Sequence, residues 1–172
     1  MQKLLVVTSN DEIKMMDYDN FESTREAVEG LSERLTTLPV APFVCSTGEV
    51  DIWCNEEYTY LSTESCNKIN VMGTLLYGDS VYGNIAVTVK LPFGETRGFE
   101  YEEIEEDGKM VEAVCESWCV EDWFLRMKTD MEEHLKKQSL TFEKMHEKYD
   151  KTSMQEFKKK DVNENIKKGG ER

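Results

Sequence analysis

Between Val81 and Leu91 the apolar side chains fall on every second residue. Val81, Gly83, Ile85, Val87, Val89 and Leu91 alternate with Tyr82, Asn84, Ala86, Thr88 and Lys90. A period of two with one apolar face predicts a half-buried strand of an antiparallel sheet. Such a strand needs partners, and the chain offers several. Lys3 to Thr8 is a short valine-rich run that predicts a buried strand. Ser9-Asn10-Asp11 supplies turn chemistry, and Glu12 to Tyr18 follows as the second arm of a hairpin. Ile13 and Met15 share one face of that arm, Met16 and Tyr18 the other. Val40–Cys45 and Val50–Cys54 predict a second hairpin around Ser46-Thr47-Gly48-Glu49. Val50, Ile52 and Cys54 point one way, Asp51 and Trp53 the other. Phe99–Ile104 and Met110–Cys115 flank Glu106-Asp107-Gly108-Lys109, a strong short-range hairpin signal. The glutamates along this ribbon predict an exposed edge.

Helical periods occur twice. Ser23-Thr24-Arg25-Glu26 fits a capping box, and Ala27, Val28, Leu31, Leu35 and Leu38 keep helical spacing up to Pro39. From Val120 onward, Val120, Trp123, Phe124, Met127, Met131 and Leu135 form one apolar stripe, with an extension through Leu140, Phe142, Met145 and Tyr149. Asn55 to Asn70 is polar and aperiodic and predicts a loop, with a short extended piece at Tyr58-Thr59-Tyr60. Val71 to Tyr77 fits a helical turn or a strand equally well. The fold class expected is therefore α+β, a mostly antiparallel sheet with one packed helix after the second strand and a C-terminal helical extension. The expected divisions are an acidic α+β domain at 1–117, a C-terminal amphipathic helix or helices at 118–150 and a flexible lysine-rich tail at 151–172.

Charge is unevenly placed. Residues 1–133 carry 28 acidic and 10 basic side chains, and residues 134–172 carry 7 acidic and 11 basic. An acidic body repels phosphate backbones and anionic lipids, so direct nucleic-acid binding by it is not expected. No apolar run reaches the ~18 residues of a membrane span. Acidic side chains also simply keep small proteins soluble, which is the plain explanation of the same charge.

No motif for a catalytic serine, phosphate loop or dinucleotide is present, and no catalytic residue is assigned. Adjacent Glu56 and Glu57 on a strand would face opposite ways, which is poor geometry for an acid–base pair. Five cysteines without a Cys-x-x-Cys predict free thiols and a reducing cytoplasm. Cys45, Cys54, Cys115 and Cys119 could converge on zinc, but the spacing is weak, so neither metal nor cofactor is expected. His134 and His146 fall in charged helical sequence and read as solvated surface. Arg97, alone among acids, is expected to be paired, or else to hold an anion between Phe93 and Phe99.

The first part of the chain resembles the domain-of-unknown-function (DUF) 3846 family of phage and mobile-element proteins. The residues that carry the resemblance are the strand Lys3–Val7, Asp17-Tyr18, Arg25-Glu26-Ala27-Val28-Glu29-Gly30, Cys54-Asn55-Glu56-Glu57, Asn70, and Tyr82-Gly83-Asn84-Ile85-Ala86-Val87. The similarity spans roughly residues 1–91, departs in length between Asn55 and Tyr82, and has no counterpart beyond. It implies a cytoplasmic accessory protein of a phage or mobile element in a bacterial host, and it brings no catalytic residues.

Three functional readings follow. The first is a non-enzymatic protein that binds and modulates a host protein with a basic surface, by analogy with anti-defence proteins of phages. Its candidate residues are Glu100, Glu102, Glu103, Glu105, Glu106 and Asp107, with Arg97, Asn55, Glu56, Asn70 and Tyr82. The second is a small-ligand binder for a nucleotide signal, using Arg97, Lys68, Tyr77 and Tyr82. The third is a metal-dependent enzyme. The Val120–Leu135 stripe serves either the protein's own core or a homodimer.

Overall fold

The alternating segment lies at the centre of one antiparallel sheet. In the computed structural model, which describes residues 1–111 and 115–151, the body is built from β1 (Gln2–Val7), β2 (Ile13–Asp17), β3 (Ser32–Pro39), β4 (Glu49–Asn55) and β5 (Ile85–Lys90). Their order is β2-β1-β5-β4-β3. Short strands β6 (Thr96–Arg97) and β7 (Phe99–Glu100) pair with β5 and β1. β8 (Ile104–Glu106) and β9 (Lys109–Val111) form a separate two-stranded ribbon. Among the described residues four helices complete the α+β fold: α1 (Glu22–Val28), α2 (Val71–Tyr77), α3 (Glu116–Lys136) and α4 (Phe142–Tyr149).

The sheet has two unequal faces. Leu5, Val7, Val50, Ile52, Cys54, Ile85, Val87 and Val89 point into the larger core, which Val120, Phe124 and Leu135 of α3 and Phe142 and Met145 of α4 close. Leu4, Val6, Trp53 and Ala86 point to the other side, against Ala27 and Val28 of α1. As expected, Ile13 and Met15 join the first face and Met16 and Tyr18 the second. The prediction of a half-buried strand is corrected: Ile85 to Val89 are buried on both sides. The alternation recorded a difference between two covered faces. Its smaller residues, Ala86 and Thr88, lie on the thinner side.

The expected helix from Ala27 to Leu38 is also corrected. α1 ends at Val28, Glu29 turns the chain with φ 61°, and residues 32–39 form β3. A bulge between Arg34 and Thr36 shifts the register, so the spacing of Leu31, Leu35 and Leu38 fits a bulged strand as well as a helix. The β-branched Thr36 and Thr37 favour the strand. The ladder to β4 settles it, because it satisfies backbone groups over both strands. The capping box does not form: Phe21 is the N-cap without a side-chain bond, and Ser23 Oγ accepts from the Asp19 amide. The hairpin partner of β4 is thus β3, and residues 42–44 make a turn where a strand was expected. Tyr58 to Tyr60 is likewise a turn, and Val71 to Tyr77 is helical.

α3 is 21 residues long and packs its stripe on its own sheet. Val120, Phe124 and Leu135 are buried, and Trp123, Met127 and Met131 pack against the same core. That stripe is therefore not free for a homodimer. Residues of α3 and α4 share one core with the strands, and α4 is a separate helix after a turn at 137–139. The expected tail, beyond Lys151, lies outside the described residues, as do residues 112–114 of the strand expected over Met110–Cys115. Among the described residues no helix is long and apolar enough to cross a membrane.

The link from β6 to β7 is tightly fitted. A Cβ on Gly98 would stand 2.8 Å from Tyr18 Cβ and 2.9 Å from both Gln2 Cβ and the Lys3 carbonyl oxygen. Gly98→Ala is expected to cost roughly 1–3 kcal/mol by overpacking, read as a lower denaturant midpoint with unchanged slope.

Candidate interaction surface

The β8–β9 ribbon turns through Asp107 and Gly108, both with positive φ (53° and 71°), as the tight hairpin turn requires. It adds no strand to the main sheet. Glu102, Glu103, Glu105, Glu106 and Asp107 are all exposed, and so is Glu100 at its base. None of these carboxylates enters an ion pair among the described residues. Lys109, across from Glu106, is the ribbon's one base. Met110 is 64% exposed on the same ribbon, and half-exposed Trp118 stands edge-on to Tyr101 at 6.2 Å. Unpaired carboxylates beside a methionine and two aromatics make a surface suited to a basic, partly apolar partner.

Arg97 does not contribute a free cation. Its Nη1 and Nη2 donate to Glu116 Oε1 at 2.6 Å and Oε2 at 3.1 Å, and Nη1 also donates to the Gly98 carbonyl. The hydrogen bonds to Glu116 hold its guanidinium above the usual arginine range. Burial pushes the Glu116 carboxyl up, but Arg97 and the amides of Glu100 and Ser46 overcome this and hold it low. The pair fixes the start of α3 to the strand that leads to the ribbon. This is the paired alternative raised for Arg97, and the anion-binding one has no free donor fork.

Three other candidates are structural. Asn70 is fully buried and caps α2: its Oδ1 accepts from the Gly73 amide, and its Nδ2 donates to the Val7 and Gly83 carbonyls, each at 2.9 Å. Asn55, also buried, donates to the Val28 and Glu29 carbonyls and accepts from the Glu57 amide. It ties the end of α1 to β4. Tyr82 donates to the Tyr149 carbonyl and packs beside Tyr58. Glu56 is exposed, apart from the ribbon. Sequence reasoning placed these residues in one set, but they do not converge.

A polar trough opens beside the β1–β2 turn. One hollow of about 480 Å³ is lined by Ser9, Asn10, Lys14, Glu29, Ser65 and Lys68 among others, and a neighbouring one of about 330 Å³ shares Asn10 and Lys68. The side chains there are satisfied by one another. Lys68 Nζ donates to Asn10 Oδ1 at 2.7 Å, Ser65 donates to Glu29, and Asn84 bridges the Ser9 amide and the Ala27 carbonyl. Glu12, Glu29 and Glu64 oppose Lys14 and Lys68. An anionic nucleotide gains little here. Of its expected residues only Lys68 lines the trough.

His146 is the residue that sequence reasoning missed. It is not solvated surface: its Nε2 lies 2.8 Å from Asp11 Oδ2 and its Nδ1 2.9 Å from Asp150 Oδ1. Asp150 Oδ1 also accepts from the Ile69 amide, and Lys128 Nζ donates to the Asp11 carbonyl oxygen. Burial would lower the imidazole's pKa, but the bonds to Asp150 and Asp11 raise it above its ordinary value. With both nitrogens engaged it has no free position for general base work. The only local clue was spacing, since His146 and Asp150 are four apart on a helix. The Asp11 partner is 135 residues away.

Among the described residues no group of three or more His, Cys, Asp or Glu is placed to hold an ion. All five thiols are free; four are buried, and burial pushes Cys54 up to about 11. No family model, curated protein or solved structure matches this chain.

Proposed function

We propose that this chain is a non-enzymatic binding protein that uses the acidic ribbon to engage a basic surface of another protein. The observation that carries the reading is the ribbon itself: exposed, unpaired carboxylates on a hairpin that stands apart from the sheet, next to exposed Met110. Ribbon glutamates serve no packing purpose, and a like-charged cluster held together repels itself. The DUF 3846 resemblance supplies the biological frame, an accessory protein that modulates a host protein in a bacterial cytoplasm. A basic partner would be steered by the ribbon's field and anchored by Met110, Tyr101 and Trp118.

The test replaces Glu102, Glu103, Glu105 and Glu106 by Gln and Asp107 by Asn. Folding stability should stay within about 0.5 kcal/mol, because these are surface positions. Tagged wild-type and variant proteins are then used for pull-downs from bacterial lysate, washed through a salt series. The expected result is a basic protein that wild type retains at low salt, releases as screening rises, and that the variant does not retain. Equal retention by both proteins, or no salt-sensitive protein at all, overturns the reading.

A further inference from the structure

The thinner face of the sheet is only partly covered by α1. Beside that helix lies a groove of about 580 Å³, lined by Tyr18, Phe21, Trp53, Thr96 and Gln2, with Asp19 and Glu95 among its exposed residues. Phe21 meets Trp53 edge-on at 5.1 Å, and Trp53 Nε1 donates to Thr88 Oγ1, which fixes the indole as a wall. The loop from β5 to β6 borders the groove through Gly94 and Glu95. Immediately before Gly94, Phe93 has φ 64° and is fully exposed. A bulky residue in the left-handed region costs conformational energy, and an exposed phenyl ring recovers none of it by burial. Glycine would serve the turn better. Phe93 does not itself line the groove but stands one residue from its border at Gly94, where strain of this kind is a pointer to function.

The groove is continuous with the ribbon. Gln2 lines it, accepts from the Gly98 amide at 3.0 Å, and donates to Glu100 Oε1 at 3.2 Å. Arg25 and Arg34 stand over the Phe21 and Trp53 rings at 5.8 and 5.4 Å, but they pair with Glu22 and Asp51, so the unpaired charge along this path is negative. Asp19, Glu95 and Glu100 enter no ion pair among the described residues, and Arg97 is spent on Glu116. Two residues from Trp53 on the same strand, Asp51 is fully buried, with one oxygen held by Thr37 and Arg34 and the other without a hydrogen-bond partner.

From these observations we infer that the groove beside α1 seats an apolar side chain of a lysine- or arginine-flanked segment, contributed by the same basic protein partner that the ribbon engages. This rests on the proposed function and gives the partner's chemistry. Phe93 and the Tyr18–Phe21–Trp53 pocket take the apolar anchor, and the flanking cations meet Asp19, Glu95, Glu100 and the ribbon.

The probe is a synthetic peptide, Lys-Lys-Leu-Phe-Lys-Lys, with Lys-Lys-Ser-Ser-Lys-Lys as its anchor-free counterpart. Binding to full-length protein is followed by the indole N–H resonances of Trp53 and Trp118. Expected is a shift at Trp53 with the anchored peptide only, and a loss of roughly tenfold in affinity for Phe93→Asn, which keeps the turn without the ring. Phe93→Gly should lose the same affinity while raising thermal stability. A peptide that shifts Trp118 alone, or binds Phe93→Asn and wild type equally, overturns the groove and leaves the ribbon reading intact. Anchored binding at Trp53 that survives neutralisation of the ribbon overturns the ribbon reading and leaves the groove. No shift at either indole overturns both.

Discussion

Asn70→Asp is expected to destabilise the protein by about 3 kcal/mol or more, at 1–3 kcal/mol for each buried partner left unsatisfied. Its effect on the melting temperature should be roughly 6–12 °C for a chain of this size. The side-chain geometry makes the sign unambiguous. The Asn70 amide has one orientation that works, with its oxygen toward the Gly73 amide and its nitrogen toward the Val7 and Gly83 carbonyls. Aspartate keeps the acceptor and so keeps the α2 cap. It replaces both donors by an oxygen that faces two carbonyl oxygens in a buried place. Asn70→Ala loses all three bonds. If thermal unfolding of Asn70→Asp matches wild type, the two donor bonds are not what joins β1 to the segment that leads into β5.

The second large effect is a pH dependence. A neutral imidazole has one N–H, yet His146 faces a carboxylate at each nitrogen. Both arms are hydrogen bonds only when the ring is protonated. Its folded pKa lies above 6.5, so this contribution to stability is fully present below 6.5 and is lost as pH rises through the raised value. Asp11 acts with the same sign at the acid end. Burial raises its carboxyl above 3.8 in spite of His146 and Lys128, so its share is lost as pH rises through that higher value. Charged groups facing the clasp are Asp11 and Lys68 from the body, Lys128 from α3, and Glu143 and Asp150 from the C-terminal end. Hydrogen exchange of the α4 amides should quicken as pH passes from 6 to 9, beyond the intrinsic rise in exchange rate. His146→Gln should flatten that excess and cost about 2 kcal/mol at pH 6, the worth of a charge-assisted hydrogen bond. An excess identical in His146→Gln would exclude the clasp as its cause.

Elements were legible in the sequence where one local pattern had one meaning. Ile85–Lys90 could only be extended, although the strand expected from Val81 started too early, since residues 81–84 precede β5 and Gly83 has φ 85°; Asp107-Gly108 between strand-like runs could only be a tight turn. The α3 stripe was equally plain in period. What misled was a pattern with two meanings. Leu31, Leu35 and Leu38 satisfy a helix, and they satisfy a strand that carries a bulge; β4 chose the strand by offering a ladder. The acidic ribbon was legible as an exposed charged surface, because charge and exposure both follow from composition and turn chemistry. Asn55, Asn70 and Tyr82 were legible as unusual residues but not as structural ones, because their partners are 13 to 67 residues away; Arg97 was legible as a paired residue, but its partner Glu116 was not. The groove was not legible at all: Tyr18 and Phe21, Trp53, and Thr96 come from three separate segments.

The sequence alone determined the fold class, the β1–β2 and β8–β9 hairpins and the location of the acidic surface, since each depends on neighbours within a few residues. Only the tertiary structure decided that residues 32–39 are a strand, that the α3 stripe belongs to its own core, and that His146 ties α4 to the β1–β2 turn. Those outcomes turn on which distant backbone and side-chain groups are left to be satisfied once the sheet has formed, and no local pattern carries that information.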